Sequence, residues 1–219
     1  MADDLKTVDV FFSFRSPYSY LVTPDLLKLR ADYNVEVKLR PVLPIALRAK
    51  GALFDDPQAQ LKVGYILTDA FRRADFLGMK MAWPSPDPIV QDFTTFEVAE
   101  DQPYIYRLSA LGIAAEKLGK GIDFAHAASH LIFGGTENWD QGDHLKNALA
   151  DAGLDLNALE ANLNIDECIK EVEANQAMLE KAGHWGVPTM AFNGEPFFGQ
   201  DRIDTLRWRL EQQGLKKAD

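Results

Sequence analysis

The sequence predicts an α/β fold in which a long helical insertion divides a small sheet domain. Three observations predict it. A strand, a helix and a second strand follow one another near the start. The long middle of the chain is helical in character. The end returns to a strand, a two-residue turn, a second strand and a helix.

Residues 8–14 (VDVFFSF) are β-branched and aromatic and predict the first strand. They run into Ser16-Pro17, a serine suited to an N-cap followed by a proline suited to the first helical turn. Leu21, Leu26, Leu27 and Leu29 supply an apolar helix face to about residue 31, and residues 35–39 (VEVKL) alternate as a second strand. Residues 40–58 contain Pro41, Pro44 and Pro57 and predict a loop, with a short helical piece over 45–50. Residues 61–77, 106–117, 121–133, 143–152, 156–163 and 169–182 predict helices, and 83–88 (WPSPDP) a proline-rich loop. Residues 189–192 (TMAF) predict a strand, Asn193-Gly194 a hairpin turn, and residues 196–198 the returning strand. Residues 202–213 predict the last helix. A βαβ unit, helices, then ββα is the layout of a thioredoxin fold. Residues 1–58 and 183–219 would build the thioredoxin-like domain and 59–182 the inserted helical domain, the two halves together building one sheet because the βαβ unit alone cannot cover its own faces.

Bulk properties narrow the function. The net charge of -10 argues against broad nucleic-acid or anionic-membrane binding. Cys168 is the only cysteine, so there is no internal disulfide and no metal-type Cys/His spacing. The start, MADDLKTVDV, carries no signal-peptide pattern, and no apolar run is long enough to span a bilayer. Together these point to a cytoplasmic, reducing setting.

Three segments fall where this fold builds a site. Ser16 is at a strand-to-helix junction, where backbone N–H groups and the helix dipole stabilise negative charge. A thiolate there would have its pKa lowered, and a serine hydroxyl would donate to a thiolate brought by a ligand. Val187-Pro188 precedes a strand, at a position that in this fold commonly holds a cis-proline. The Val187 backbone would then pair with a cysteinyl peptide as an added strand does. Phe198-Gly199-Gln200-Asp201 precedes the last helix. Free N–H groups there suit a carboxylate and Asp201 suits an ammonium, the two groups of a γ-glutamyl end. Each segment also has an ordinary structural role, as cap, strand start or turn. His126 and His130 are spaced i, i+4 without further ligands, which reads as a packed pair. Cys168 reads as a small half-buried residue on an amphipathic helix.

FFSFRSPYSYL near the start and GVPTMAFNGEPFFGQDRIDTL near the end resemble the 2-hydroxychromene-2-carboxylate isomerases, a family akin to the kappa-class glutathione transferases and the DsbA-like oxidoreductases. The resemblance implies glutathione as cofactor, Ser16 as the catalytic residue facing its sulfur, and Val187, Phe198, Gly199, Gln200 and Asp201 as its binding residues. Gln200 stands where many members carry a small polar residue. Ser16 and Ser19 occupy the two Cys-x-x-Cys positions of redox relatives, which excludes dithiol chemistry at this site. For the aromatic substrate the resemblance implies a basic residue on its carboxylate, with Arg48 the nearest match and Lys50 and Lys62 as alternatives, and a second loop at Ser85. The implied reaction interconverts 2-hydroxychromene-2-carboxylate and trans-o-hydroxybenzylidenepyruvate, or acts on a related aromatic catabolite, through reversible addition of a glutathione thiolate. A kappa-type transferase and a non-catalytic glutathione- or cysteinyl-peptide-binding protein are the alternatives. The resemblance also implies a homodimer.

Overall fold

In the computed structural model, residues 5–49, 58–92, 95, 97–161 and 163–218 are described. The elements run β1 (Lys6–Phe12), α1 (Pro17–Asp32), β2 (Val35–Pro41), α2 (Ile45–Arg48), α3 (Ala59–Leu77), α4 (Ile105–Lys117), α5 (Gly121–Phe133), α6 (His144–Asp151), α7 (Leu156–Glu160), α8 (Ile165–Lys181), β3 (Thr189–Phe192), β4 (Glu195–Phe198), a 3-10 turn (Gln200–Arg202) and α9 (Ile203–Gln212). The sheet order is β2-β1-β3-β4. β1 and β2 are parallel, joined through α1, while β3 lies antiparallel to β1 and to β4. The two ends of the chain therefore complete one sheet, as the element order predicts.

Local sequence accounts for most boundaries. Asn193 and Gly194 both have positive φ, 51° and 80°, the conformation a two-residue hairpin turn of matching twist requires. The first strand ends earlier than expected, at Phe12, because the chain must turn out of the sheet to start α1. Ser16 N–H donates to the Ser13 carbonyl at 3.0 Å across that turn. Phe14 is aromatic because it is buried: its ring packs edge-on against Phe12 and Phe124. α8 starts earlier than expected, at Ile165, where the Asn164 side chain accepts from Glu167 N–H at 3.2 Å. The pattern Asn164 followed three residues on by Glu167 is a start signal that hydrophobic periodicity alone passes over. Pro24 sits inside α1 and withdraws the N–H that would reach the Tyr20 carbonyl; Thr23 Oγ1 donates to that carbonyl instead, at 2.8 Å.

One apolar cluster joins the sheet to the inserted helices. It includes Val8, Val10 and Phe12 of β1, Leu21, Leu26 and Leu29 of α1, Leu108 and Leu111 of α4, and Phe124, Ile132 and Phe133 of α5. The insertion thus covers one face of the sheet and shares its core. Cys168 is buried in a small satellite cluster with Ala110, Ile113 and Val172, away from the start of α1. No helix among the described residues is long and apolar enough to cross a membrane.

Candidate functional site

Ser16 caps α1. Its backbone is extended (φ -86°, ψ 119°), and its Oγ accepts from Ser19 N–H at 3.2 Å. Ser19 itself is turned inward and fully buried, its hydroxyl accepting from Ser13 N–H at 3.4 Å. Across from this junction, the Val187–Pro188 peptide is cis. Ser16 Oγ donates to the Val187 carbonyl at 3.4 Å, a long contact that leaves the hydroxyl proton free to turn toward a better acceptor. Among the described residues, the Val187 N–H has no acceptor.

The segment bearing Val187 is held from behind. Thr189 Oγ1 donates to the Gly186 carbonyl at 2.7 Å, and Gly186 N–H donates to His184 Nδ1 at 2.8 Å. The His184 ring stacks on Phe198, centroids 4.0 Å apart and planes at 22°. Burial lowers the His184 pKa, and a neutral ring is the form whose Nδ1 accepts that N–H. Gly186 is required here, because a Cβ would come within 2.4 Å of the Phe198 ring.

These residues open on a cavity of about 670 Å³ with largely apolar walls. α3 contributes Val63, Tyr65, Ile66 and Leu67, and Trp83, Trp185 and Phe198 add aromatic faces. Two guanidinium groups, Arg15 and Arg48, also line it. Arg15 donates Nε to Asp87 Oδ1 at 2.8 Å and Nη2 to Asp87 Oδ2 at 3.0 Å, with Gln91 Oε1 at 3.1 Å from the same Nη2. Arg48 donates Nε to the Leu43 carbonyl at 2.8 Å and Nη2 to the Trp185 carbonyl at 2.6 Å. Burial lowers the Arg48 pKa, yet an arginine keeps its charge. Tyr18, the second residue of α1, donates its hydroxyl to Asp69 Oδ2 of α3 at 2.9 Å. Burial, then this bond and the Asp69 charge, raise the phenol pKa far above the ordinary range, so it stays a donor.

Of the residues singled out in the sequence, Ser16, Val187, Phe198 and Arg48 come together around this cavity. Gly199 follows Phe198 with φ +101°, and its N–H donates to the Pro188 carbonyl at 2.9 Å. Gln200 is buried and accepts from Arg73 Nε at 2.8 Å, while Asp201 is half-exposed beside Arg202. The Gln200 and Asp201 N–H groups have no acceptor among the described residues. Lys62 stands on α3 next to Val63 but does not line the cavity, and Lys50 lies outside the described residues. Ser85 also stays off the walls. It is exposed, and its carbonyl accepts from Asn138 N–H at 2.8 Å. Trp139 Nε1 donates to the next carbonyl, of Pro86, at 2.7 Å, so the loop is pinned to the connection between α5 and α6, and Trp83 lines the cavity. His126 and His130 pack as a ring pair, and no cluster suited to a metal ion occurs among the described residues.

Sequence reasoning missed Arg15, Tyr18, Arg73, Asp87 and His184. Arg15 and Tyr18 flank Ser16, and that adjacency was the available signal. Their partners lie far along the chain and had none.

A DSBA-like thioredoxin domain model matches residues 7–211. The chain is similar to a 2-hydroxychromene-2-carboxylate isomerase of Sphingobium xenophagum, 26% identical over 204 residues that cover 92% of this chain and 96% of the relative. It is similar to a second, of Pseudomonas putida, 24% identical over 223 residues that cover 97% and 98%. Its fold is similar to that of a solved 2-hydroxychromene-2-carboxylate isomerase, with a TM-score of 0.67 and 21% identity over 94% of this chain and 95% of that one.

Proposed function

This chain belongs to the DSBA-like thioredoxin domain family, and from that premise we propose that it is a glutathione-dependent isomerase of 2-hydroxychromene-2-carboxylate or a closely related aromatic carboxylate. The observation that carries the reading is the pairing, in one apolar cavity, of a serine-capped helix start with Arg48, a cation hydrogen-bonded to main-chain carbonyls and not to a carboxylate among the described residues.

The residues present fit glutathione. Val187 offers an unused N–H and a carbonyl held only by the long Ser16 contact, so an extended cysteinyl backbone can pair there. Bound there, glutathione supplies a thiolate nucleophile that adds reversibly to a conjugated carbon of the substrate. Ser16 turns its hydroxyl from the Val187 carbonyl to the sulfur, and the N-terminus of α1 favours the negative charge. Arg48 orients the substrate by its carboxylate. Its two fixed donors already point at main-chain oxygens, which holds the guanidinium plane in place. Trp83, Trp185 and Phe198 provide flat apolar surfaces for the aromatic ring and keep water from the reacting carbon. Tyr18 stays protonated and, through Asp69, ties α3 over the start of α1.

Calorimetry with glutathione, on the wild type and on Ser16→Ala, with thiolate absorbance followed against pH, tests this reading. Binding with the sulfur ionised well below its free pKa, in the wild type alone, supports it, as does turnover of the chromene acid. Accumulation of a stable adduct instead assigns a transferase. No binding at millimolar glutathione sinks the proposal.

A further inference from the structure

The reaction proposed above makes no use of Arg73, although its side chain reaches the turn after β4. Arg73 lies one helical turn beyond Asp69 on α3. Its Nε donates to Gln200 Oε1 at 2.8 Å, and its guanidinium carbon lies 4.7 Å from the Phe76 ring centre. Its neighbour Arg72 takes a carboxylate, Asp69, at 3.2 Å. Arg73 has no carboxylate partner among the described residues; it is seated on a neutral amide and an aromatic face.

A guanidinium carries five N–H donors in a planar fork. Gln200 engages Nε, which fixes the plane and leaves the paired terminal donors of the fork for a planar anion. Gln200 is 8% exposed, so its oxygen is a firm anchor. The Gln200 and Asp201 N–H groups beside it also lack acceptors among the described residues, and the Asp201 carboxylate is next in sequence. A cation with spare donors, two spare amides and the exposed Asp201 carboxylate, 3.3 Å from Arg202 and open on its other side, match the two charges of a free α-amino acid end. The long Gln200 side chain, in place of a small polar residue, is what carries an oxygen out to α3.

We propose that Arg73, seated on Gln200, binds the α-carboxylate of the γ-glutamyl end of glutathione and so selects glutathione over thiols that lack that end. This rests on the glutathione reading above and adds a selecting residue to it.

Calorimetry on the full chain tests it with three probes: glutathione, γ-glutamylcysteine and cysteinylglycine. Arg73→Met should weaken glutathione and γ-glutamylcysteine alike, by ~10-fold or more, and leave cysteinylglycine unchanged. Arg73→Lys keeps the charge without the fork and should fall between. Gln200→Met removes the anchor with little change of volume and should cost the two γ-glutamyl thiols a smaller factor. Equal loss for all three thiols, or no loss for any, overturns the assignment of Arg73 while leaving glutathione binding intact. Failure of the wild type to bind glutathione overturns this inference and the glutathione reading together.

Discussion

Arg15 and Arg48 line opposite chemical situations in the same cavity. On the Arg15 wall the cation is neutralised. Asp87 grips it with both oxygens, the side chains are 17% and 10% exposed, and Gln91 adds a third acceptor. On the Arg48 wall the hydrogen bonds go to the Leu43 and Trp185 carbonyls; burial lowers the pKa, and the Glu180 charge opposes that without a hydrogen bond. A buried charge already paired holds loops together, whereas one left to main-chain dipoles still has a strong attraction for an anion. The contact between α5 and α1 shows a third solution, loss of the charge. His126 and His130 lie with ring centres 4.0 Å apart. The Thr23 hydroxyl donates to the Tyr20 carbonyl, so it accepts from His126 Nδ1 at 3.2 Å. His130 Nδ1 donates to the His126 carbonyl at 2.9 Å. Burial first, then the neighbouring His130, lowers the His126 pKa to about 4.

The sharpest break of this contrast is Asp87→Ala. It leaves Arg15 buried without its carboxylate and should cost about 3 kcal/mol of stability, read as a shift in urea midpoint at constant slope. By the same measurement Arg48→Leu should cost under ~1 kcal/mol, because the carboxylate that acts on it, Glu180, is exposed and not hydrogen-bonded to it. A large loss in Arg48→Leu would mean that the two walls do not differ.

The histidine pair extends the test to pH. A folded-state pKa of about 4 lies below the unfolded value of about 6.5, so the unfolded chain binds the extra proton between them. The contribution is fully present above pH 6.5 and is lost as pH falls toward 4. Allowing for the pair's partial exposure, the loss should be about 2 kcal/mol, and His126→Gln should flatten that part of the stability–pH curve. An equally steep curve in the variant would assign the slope elsewhere.

Binding gives the next effect. Arg48→Leu should weaken a conjugated aromatic carboxylate by ~10–100-fold and leave the corresponding amide unaffected, measured by competition in the presence of glutathione. Equal loss for acid and amide would make Arg48 a packing residue like Ile45. The smallest effect expected is on the cap. Ser16→Ala removes the acceptor of Ser19 N–H and should lower stability by only ~1 kcal/mol, while abolishing the ionisation of bound thiol.

What was legible in the chain is what short-range physics encodes. Alternation and helical periodicity placed the strands and most helices. Asn193-Gly194 named the hairpin, and Ser16-Pro17 named the start of α1, because orphan N–H groups must be satisfied by a neighbour in sequence. The order of Ser16, Val187 and the 198–201 turn was readable for the same reason, each being a local cap, turn or strand start. Tertiary structure alone decided the partners. Arg15 meets Asp87, Arg73 meets Gln200 and Arg48 meets the Trp185 carbonyl, each across tens to more than a hundred residues. No local pattern distinguishes a paired arginine from one left to face a ligand. That distinction depends on which loop the packed helices bring alongside, since a charge's environment is set by its neighbours in space.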